Sequence, residues 1–237
     1  MSLNRAMSRL RRLRSDLSGV AAVEFAISLP LLLVAGLYGT ETANYALTTM
    51  KVSEVAMHIA DNAARIGDTS TITNRAIFEA DVADLLAGSA TQGGNKLDFF
   101  GHGRAIISSL EIYDPALSCG GTPCPGHPTA GGQFIHWQRC MGVKRVSSDY
   151  GKEYDDMPSG MGPTGQEVTT ETGTAVIFVE VSYDYQPLIS GRFIGTPTIK
   201  AISSFTQRDN IDLSGLKKSK NGKVGKVADC SKYTSTI

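Results

Sequence analysis

From Val20 to Tyr38 the chain runs 19 residues with a single charge, Glu24. At about 1.5 Å of rise per helical residue the run is about 28 Å long, close to a hydrocarbon core of roughly 30 Å. The pattern predicts a membrane-spanning helix. Past Tyr38 the apolar residues become periodic. Ala43, Leu47, Met50, Val55, Ile59, Ala63 and Ile66 recur at spacings of three to five, with Lys51, Glu54, Asp61 and Arg65 between them. Gly67 closes the pattern as a helix cap. The expectation is one helix of nearly 50 residues, half in lipid and half amphipathic. Pro30 removes a backbone donor in the span and should kink it.

A second helix is predicted over 74–87, opened by Thr73 and stopped by Gly88. Ala76, Ala80, Ala83 and Ala87 form its small-residue stripe, and it reads as a packing helix. Residues 105–113, 133–138, 175–185 and 198–207 then read as strands rich in Ile, Val, Phe, Tyr and Trp. Helix first and strands after predicts an α+β fold with an antiparallel sheet on the amphipathic half of the first helix. The boundaries follow: a leader over 1–19, the span over 20–38, the helical extension over 39–67 and an α+β domain over 68–237.

The sheet segments are separated by polar, glycine-rich loops over 115–132 and 150–174. Gly160, Gly162 and Gly165 have dinucleotide-loop spacing, but no strand precedes them, Pro163 interrupts them and a strand follows, so the match is rejected. Glu153-Tyr154-Asp155-Asp156 lacks the acidic spacing of a calcium loop and reads as a solvated turn. The lysine-rich tail over 216–227 reads as a mobile loop.

Net charge is zero, yet unevenly distributed: the leader carries five Arg and one Asp, and the remainder is net −4. Basic flanks stay cytoplasmic, so the orientation predicted is amino terminus inside and everything after Tyr38 exported. The arginines are thus a topology signal, and no nucleic-acid partner is implied.

Glu24 is the unusual residue, since a carboxylate at mid-membrane costs roughly 2.5–3.5 kcal/mol on insertion scales. One reading is that it lies a turn from the interface and reaches back to water. The other starts from Gly19. If the chain is cut there, Val20 becomes an α-amine at the head of an apolar helix, and Glu24, the fifth residue, can neutralise it within the subunit or from a neighbour. Gly19 with Val20-Ala21-Ala22-Val23-Glu24-Phe25 resembles the class III signal peptide of type IV pilin-like proteins. The wider run through Ser28-Leu29-Pro30-Leu31 is similar to the TadE/TadG-like pseudopilins of the tight-adherence (Flp) pilus system. Phe134 to Cys140 and Phe178 to Tyr185 look like that family more weakly. The resemblance implies cleavage after Gly19 by a prepilin peptidase, with Glu24 in recognition and subunit pairing and Phe25 the aromatic beside it. Its implied partners are the peptidase, other pilin-like subunits, the pilus assembly machinery and the bacterial inner membrane, with the carboxy-terminal domain periplasmic or carried into a surface pilus.

The four cysteines, Cys119, Cys124, Cys140 and Cys230, all follow the span, and an even number in an exported domain reads as two disulfides. Of the three connectivities, Cys119–Cys124 and Cys140–Cys230 are favoured: one pinches the Gly/Pro loop, the other ties the tail to the sheet. The rival is zinc, with Cys119, Cys124 and His127 plus Cys140 or His136, but the spacing matches no familiar finger. No metal or cofactor is therefore expected. His58, His102, His127 and His136 show no nucleophile–base–acid signature, and Trp137 reads as core. The chain is expected not to be an enzyme. Two functions stay open: a pseudopilin cut after Gly19, or an uncleaved single-pass anchor for a periplasmic binding or sensor domain. A secreted enzyme is weaker, because no small-residue cut site follows the run.

Overall fold

In the computed structural model the described residues are 19–67, 74–94, 97–126, 128–207, 212–220 and 222–236. Residues 1–18 of the basic leader, Thr73 and His127 lie outside them. Helix α1 spans Val20–Ala63 and runs through Pro30. Among the described residues it is the one helix long and apolar enough to cross a membrane. Helices α2 (Glu79–Gln92) and α3 (Phe99–His102) follow, then four strands: β1 (Gly103–Ile112), β2 (Gln133–Met141), β3 (Ala175–Asp184) and β4 (Thr198–Thr206). The strands form one antiparallel sheet in the order β2-β1-β3-β4, so the chain is of mixed α+β class.

The chain divides into two compact units. The first comprises α1 up to Tyr45 with the loop Pro187–Gly195. Glu41, fully buried on α1, accepts the backbone N–H groups of Leu188 (3.1 Å) and Ile189 (2.8 Å), and Tyr38 meets Phe193 edge-on. The loop is therefore pinned by charge-assisted hydrogen bonds to a buried helix carboxylate.

The second unit holds Ala46–Gln186 and Thr196–Ile237. Here Val52, Val55, Ala56, Ile59, Ala60, Ala63 and Ala64 of α1 and the turn after it are buried in the unit that contains the sheet. Each large aliphatic among them contributes about 1.5–3 kcal/mol. Leu47 and Met50, expected on this stripe, are exposed instead. The inward positions of that turn carry Thr48 and Thr49, so polarity and not hydropathy marks the face there.

Strands β1 and β3 lie inside the sheet and are buried on both faces. One face packs Leu110, Ile135, Val176 and Phe178 beneath Tyr150, Met157, Met161 and Val168 of the long polar loop. That loop also covers the outer edge of β2: Asp155 O accepts from Ile135 N (3.1 Å), and Met157 N donates to Gln133 O (2.7 Å). The acidic run expected to be a solvated turn is thus an edge cover. Asp156 further accepts from the Thr129 amide and hydroxyl.

Helix α2 begins five residues later than the apolar pattern predicts. Residues 75–79 are taken by backbone pairing with the tail: Arg75 O accepts from Asp212 N, Ile77 O from Lys217 N, and Glu79 N donates to Lys217 O. Asp81 accepts the Phe78 amide at 3.2 Å and closes the helix start. The helix then passes Gly88, which faces open space, and ends at Gly93. The lysine tail is a hairpin rather than a loop, with β5 (Ser219–Lys220) paired to β6 (Lys223–Val224). Lys217 pairs with Asp212 and Lys220 with Asp81.

Two disulfides close the unit, Cys119–Cys124 and Cys140–Cys230. Arg104, buried on β1, donates to the carbonyls of Gly142, Cys230 and Lys232 and lies 4.4 Å from the centre of the Tyr233 ring. Burial lowers its pKa, against the opposing pull of Tyr233 and Asp229. It fastens the tail beside the long-range bridge. Gly142 (φ +123) has to be glycine, because a Cβ would lie 2.2 Å from Gly103 O.

Candidate functional site

Two places among the described residues are candidate sites. The first is the start of α1. Gly19 precedes the first helical residue and Val20 and Glu24 lie one turn apart, on one face of the helix. Phe25 is next to Glu24 and 61 % exposed. All residues from 19 to 40 are exposed, and a Cβ on Gly19 would meet nothing within 4 Å. Packing among the described residues therefore does not require glycine there. The hydroxyls of Ser28, Thr40 and Thr42 donate to helix carbonyls three or four residues back and need no water. Glu24 differs: among the described residues it has no hydrogen-bond or ion-pair partner.

The second place lies in the other unit, where β1 and β2 meet a cleft of 730 Å³. The β1–β2 register slips between Ser109 and Leu110, which pair with Trp137 and Ile135, so His136 is the extra residue of a bulge. The bulge turns its ring toward Glu111. His136 Nδ1 lies 2.8 Å from Glu111 Oε2, and Ser109 donates to Glu111 Oε1 at 2.7 Å. All three residues are buried. A carboxylate accepting at both oxygens fixes the Nδ1–H tautomer and leaves Nε2 facing outward. It lies 3.6 Å from Cys119 Sγ.

Cys119 is delivered by a short 3-10 turn over Ser118–Gly121, in which Cys119 (φ +54) and Gly120 (φ +69) adopt left-handed backbone. Cys124, Phe134 and Tyr113 pack behind it with Tyr154. Across the cleft Gly215 (φ +97) sits so near that a Cβ would lie 3.1 Å from His136 Nε2. Cys119, Cys124 and His136 offer ligand atoms within 4.8 Å of one another, as the zinc alternative would need, but the two sulfurs are bonded to each other. As a disulfide they are not the thiolates a zinc site uses.

Beside this cleft Arg139 on β2 forms a two-point pair with Glu79 at the head of α2 (2.8 and 2.5 Å) and reaches Glu153 at 3.3 Å. Burial pulls the Arg139 pKa down, but the two carboxylates outweigh it and hold it raised. Burial raises Glu153, and Arg139 only partly opposes that. Of the other histidines, His58 faces Glu54 at an exposed helix surface and His102 faces Asp98.

On the opposite face Glu180 of β3 is buried, accepting from the Ser148 hydroxyl and the Asp149 amide. Burial raises its pKa despite those bonds. A carboxyl raised on folding stabilises fully below the unfolded glutamate value of about 4.3 and withdraws that stability as pH rises through its folded value. Glu180→Gln is therefore expected to flatten the fall in stability with rising pH, read as urea midpoints across the acid-to-neutral range.

No family model, curated protein or solved structure matches the chain. The functional reading accordingly rests on the residues themselves.

Proposed function

We propose that the chain is a pilin-like assembly subunit of the TadE-like kind, held in the bacterial inner membrane by α1 and cut after Gly19 by a prepilin peptidase. Its amino terminus is cytoplasmic and its α+β part periplasmic. One observation carries the reading: an exposed apolar helix begins at Val20 and bears, one turn along, a carboxylate that has no partner among the described residues. In lipid such a carboxylate is costly, and a freed Val20 amine, in the same or a neighbouring subunit, would neutralise it. Among the described residues nothing lies within 4 Å of a Cβ at Gly19, in keeping with an accessible Gly19–Val20 peptide.

The test is Glu24→Ala in cells that assemble the filament. An interhelical polar contact in lipid is worth about 1–2 kcal/mol, about tenfold in association. Membrane-fraction levels of the variant should equal wild type, while sheared surface filaments, read by immunoblot, should fall about tenfold or more. Undiminished filaments would remove Glu24 from assembly.

A further inference from the structure

We propose that Cys119–Cys124 is a thiol–disulfide exchange centre, in which Cys119 is the exchanging sulfur, His136 its base and Cys124 the resolving sulfur. Neither the membrane helix nor the assembly role enters this inference. It rests on an asymmetry between two sulfurs. Cys124 is fully buried against Phe134, whereas Cys119 is half-buried and lines the 730 Å³ cleft. His136 Nε2 faces Cys119 at 3.6 Å, and the Glu111 carboxylate holds the far side of the ring at 2.8 Å. The same arrangement that orients a histidine base toward a thiol elsewhere in protein chemistry is built here on a β-bulge.

As a staple this bridge is the weaker of the two. A five-residue separation removes about 2 kcal/mol of chain entropy from the unfolded state, less than half of what a separation of 90 removes. Against that gain, a non-glycine residue held in left-handed backbone costs about 1 kcal/mol or more. A buried His–Glu pair aimed at one sulfur adds nothing to a bridge kept only as a staple.

The chemistry balances as a two-electron, two-proton exchange with a disulfide RSSR. In the reduced form Cys119 gives its proton to His136 Nε2, and Glu111 faces the resulting imidazolium. The thiolate attacks RSSR, forming Cys119–S–S–R and releasing RS⁻, which takes the proton back from His136. Cys124 then attacks Cys119 Sγ, and its proton leaves with the second RSH. The protein dithiol becomes a disulfide while RSSR becomes two thiols, and two thiols drive the reverse. Around the cleft Arg139 is paired with both Glu79 and Glu153, and Lys217 and Lys218 also line it.

The probe is glutathione with its disulfide, acting on the full-length chain in detergent, with thiols located by alkylation and mass mapping. Cys119 and Cys124 should open and close reversibly in the folded chain while Cys140–Cys230 stays bonded. In Cys124→Ser the Cys119 thiol should form a mixed disulfide with glutathione. Its alkylation at neutral pH should be at least about tenfold faster than in Cys124→Ser/His136→Asn, and in Cys124→Ser/Glu111→Gln its pH profile should move upward. The proposal is overturned if Cys119–Cys124 opens only when the chain unfolds, if Cys140–Cys230 opens first, or if the His136 change leaves the Cys119 rate unaltered.

Discussion

Replacing Cys140 and Cys230 together by serine is expected to lower folding stability by about 4.5 kcal/mol. The bridge spans a separation of 90 residues, and an unfolded chain released from it regains correspondingly more freedom. The native side has further contacts at risk. Cys140 N donates to Ala228 O and Gly142 N to Thr234 O, each at 2.8 Å, and Arg104 binds two tail carbonyls. Once the tail frays, the buried guanidinium loses those partners. Urea unfolding of the full-length chain in detergent should show the midpoint falling far more than in Cys119→Ser/Cys124→Ser, whose expected loss is about 2 kcal/mol. Equal losses would mean that the tail is held by its backbone and Arg104 alone.

Arg139→Met is expected to cost about 3–5 kcal/mol, because it leaves Glu79 buried without its cation. The double variant Arg139→Met/Glu79→Met should recover most of that loss, since a well-packed apolar pair of similar volume avoids the desolvation of both charges. Acidity supplies an independent check. Glu153 already has a raised pKa, and loss of Arg139 removes the charge that opposes it. A raised carboxyl withdraws stability as pH rises, so the single variant's deficit should narrow toward acid and widen toward neutrality. A deficit independent of pH would assign the loss to packing of the arginine stem.

The sequence pattern is most informative where one physical requirement dominates. The long apolar run reads directly because its 19 residues hold a single charge, and β3 reads directly because a strand buried on both faces is nearly continuous in Ile, Val and Phe, whereas β1 buries Arg104, Ser108, Ser109 and Glu111 among its aliphatics. The pattern fails where tertiary pairing outbids local preference. Residues 74–78 suit a helix, yet the tail's carbonyls and amides claim them. Leu47 and Met50 suit the buried stripe, yet the inward positions of that turn are threonines. The bulge at His136 has no signature in Phe134-Ile135-His136-Trp137, because a register slip depends on the partner strand. Of the Glu111–His136–Cys119 constellation, the sequence groups only Cys119 with His136, as candidate ligands in the zinc alternative; Glu111 lies on another segment at no motif spacing. Glu41 is another such case, for its partners are backbone amides about 147 residues away.

The assembly reading depends most on proteolysis after Gly19. Intact mass and amino-terminal sequencing of the chain produced together with a prepilin peptidase test it directly. The account predicts a mature protein that begins at Val20; recovery of material still carrying the arginine-rich leader would contradict it and leave an uncut membrane anchor.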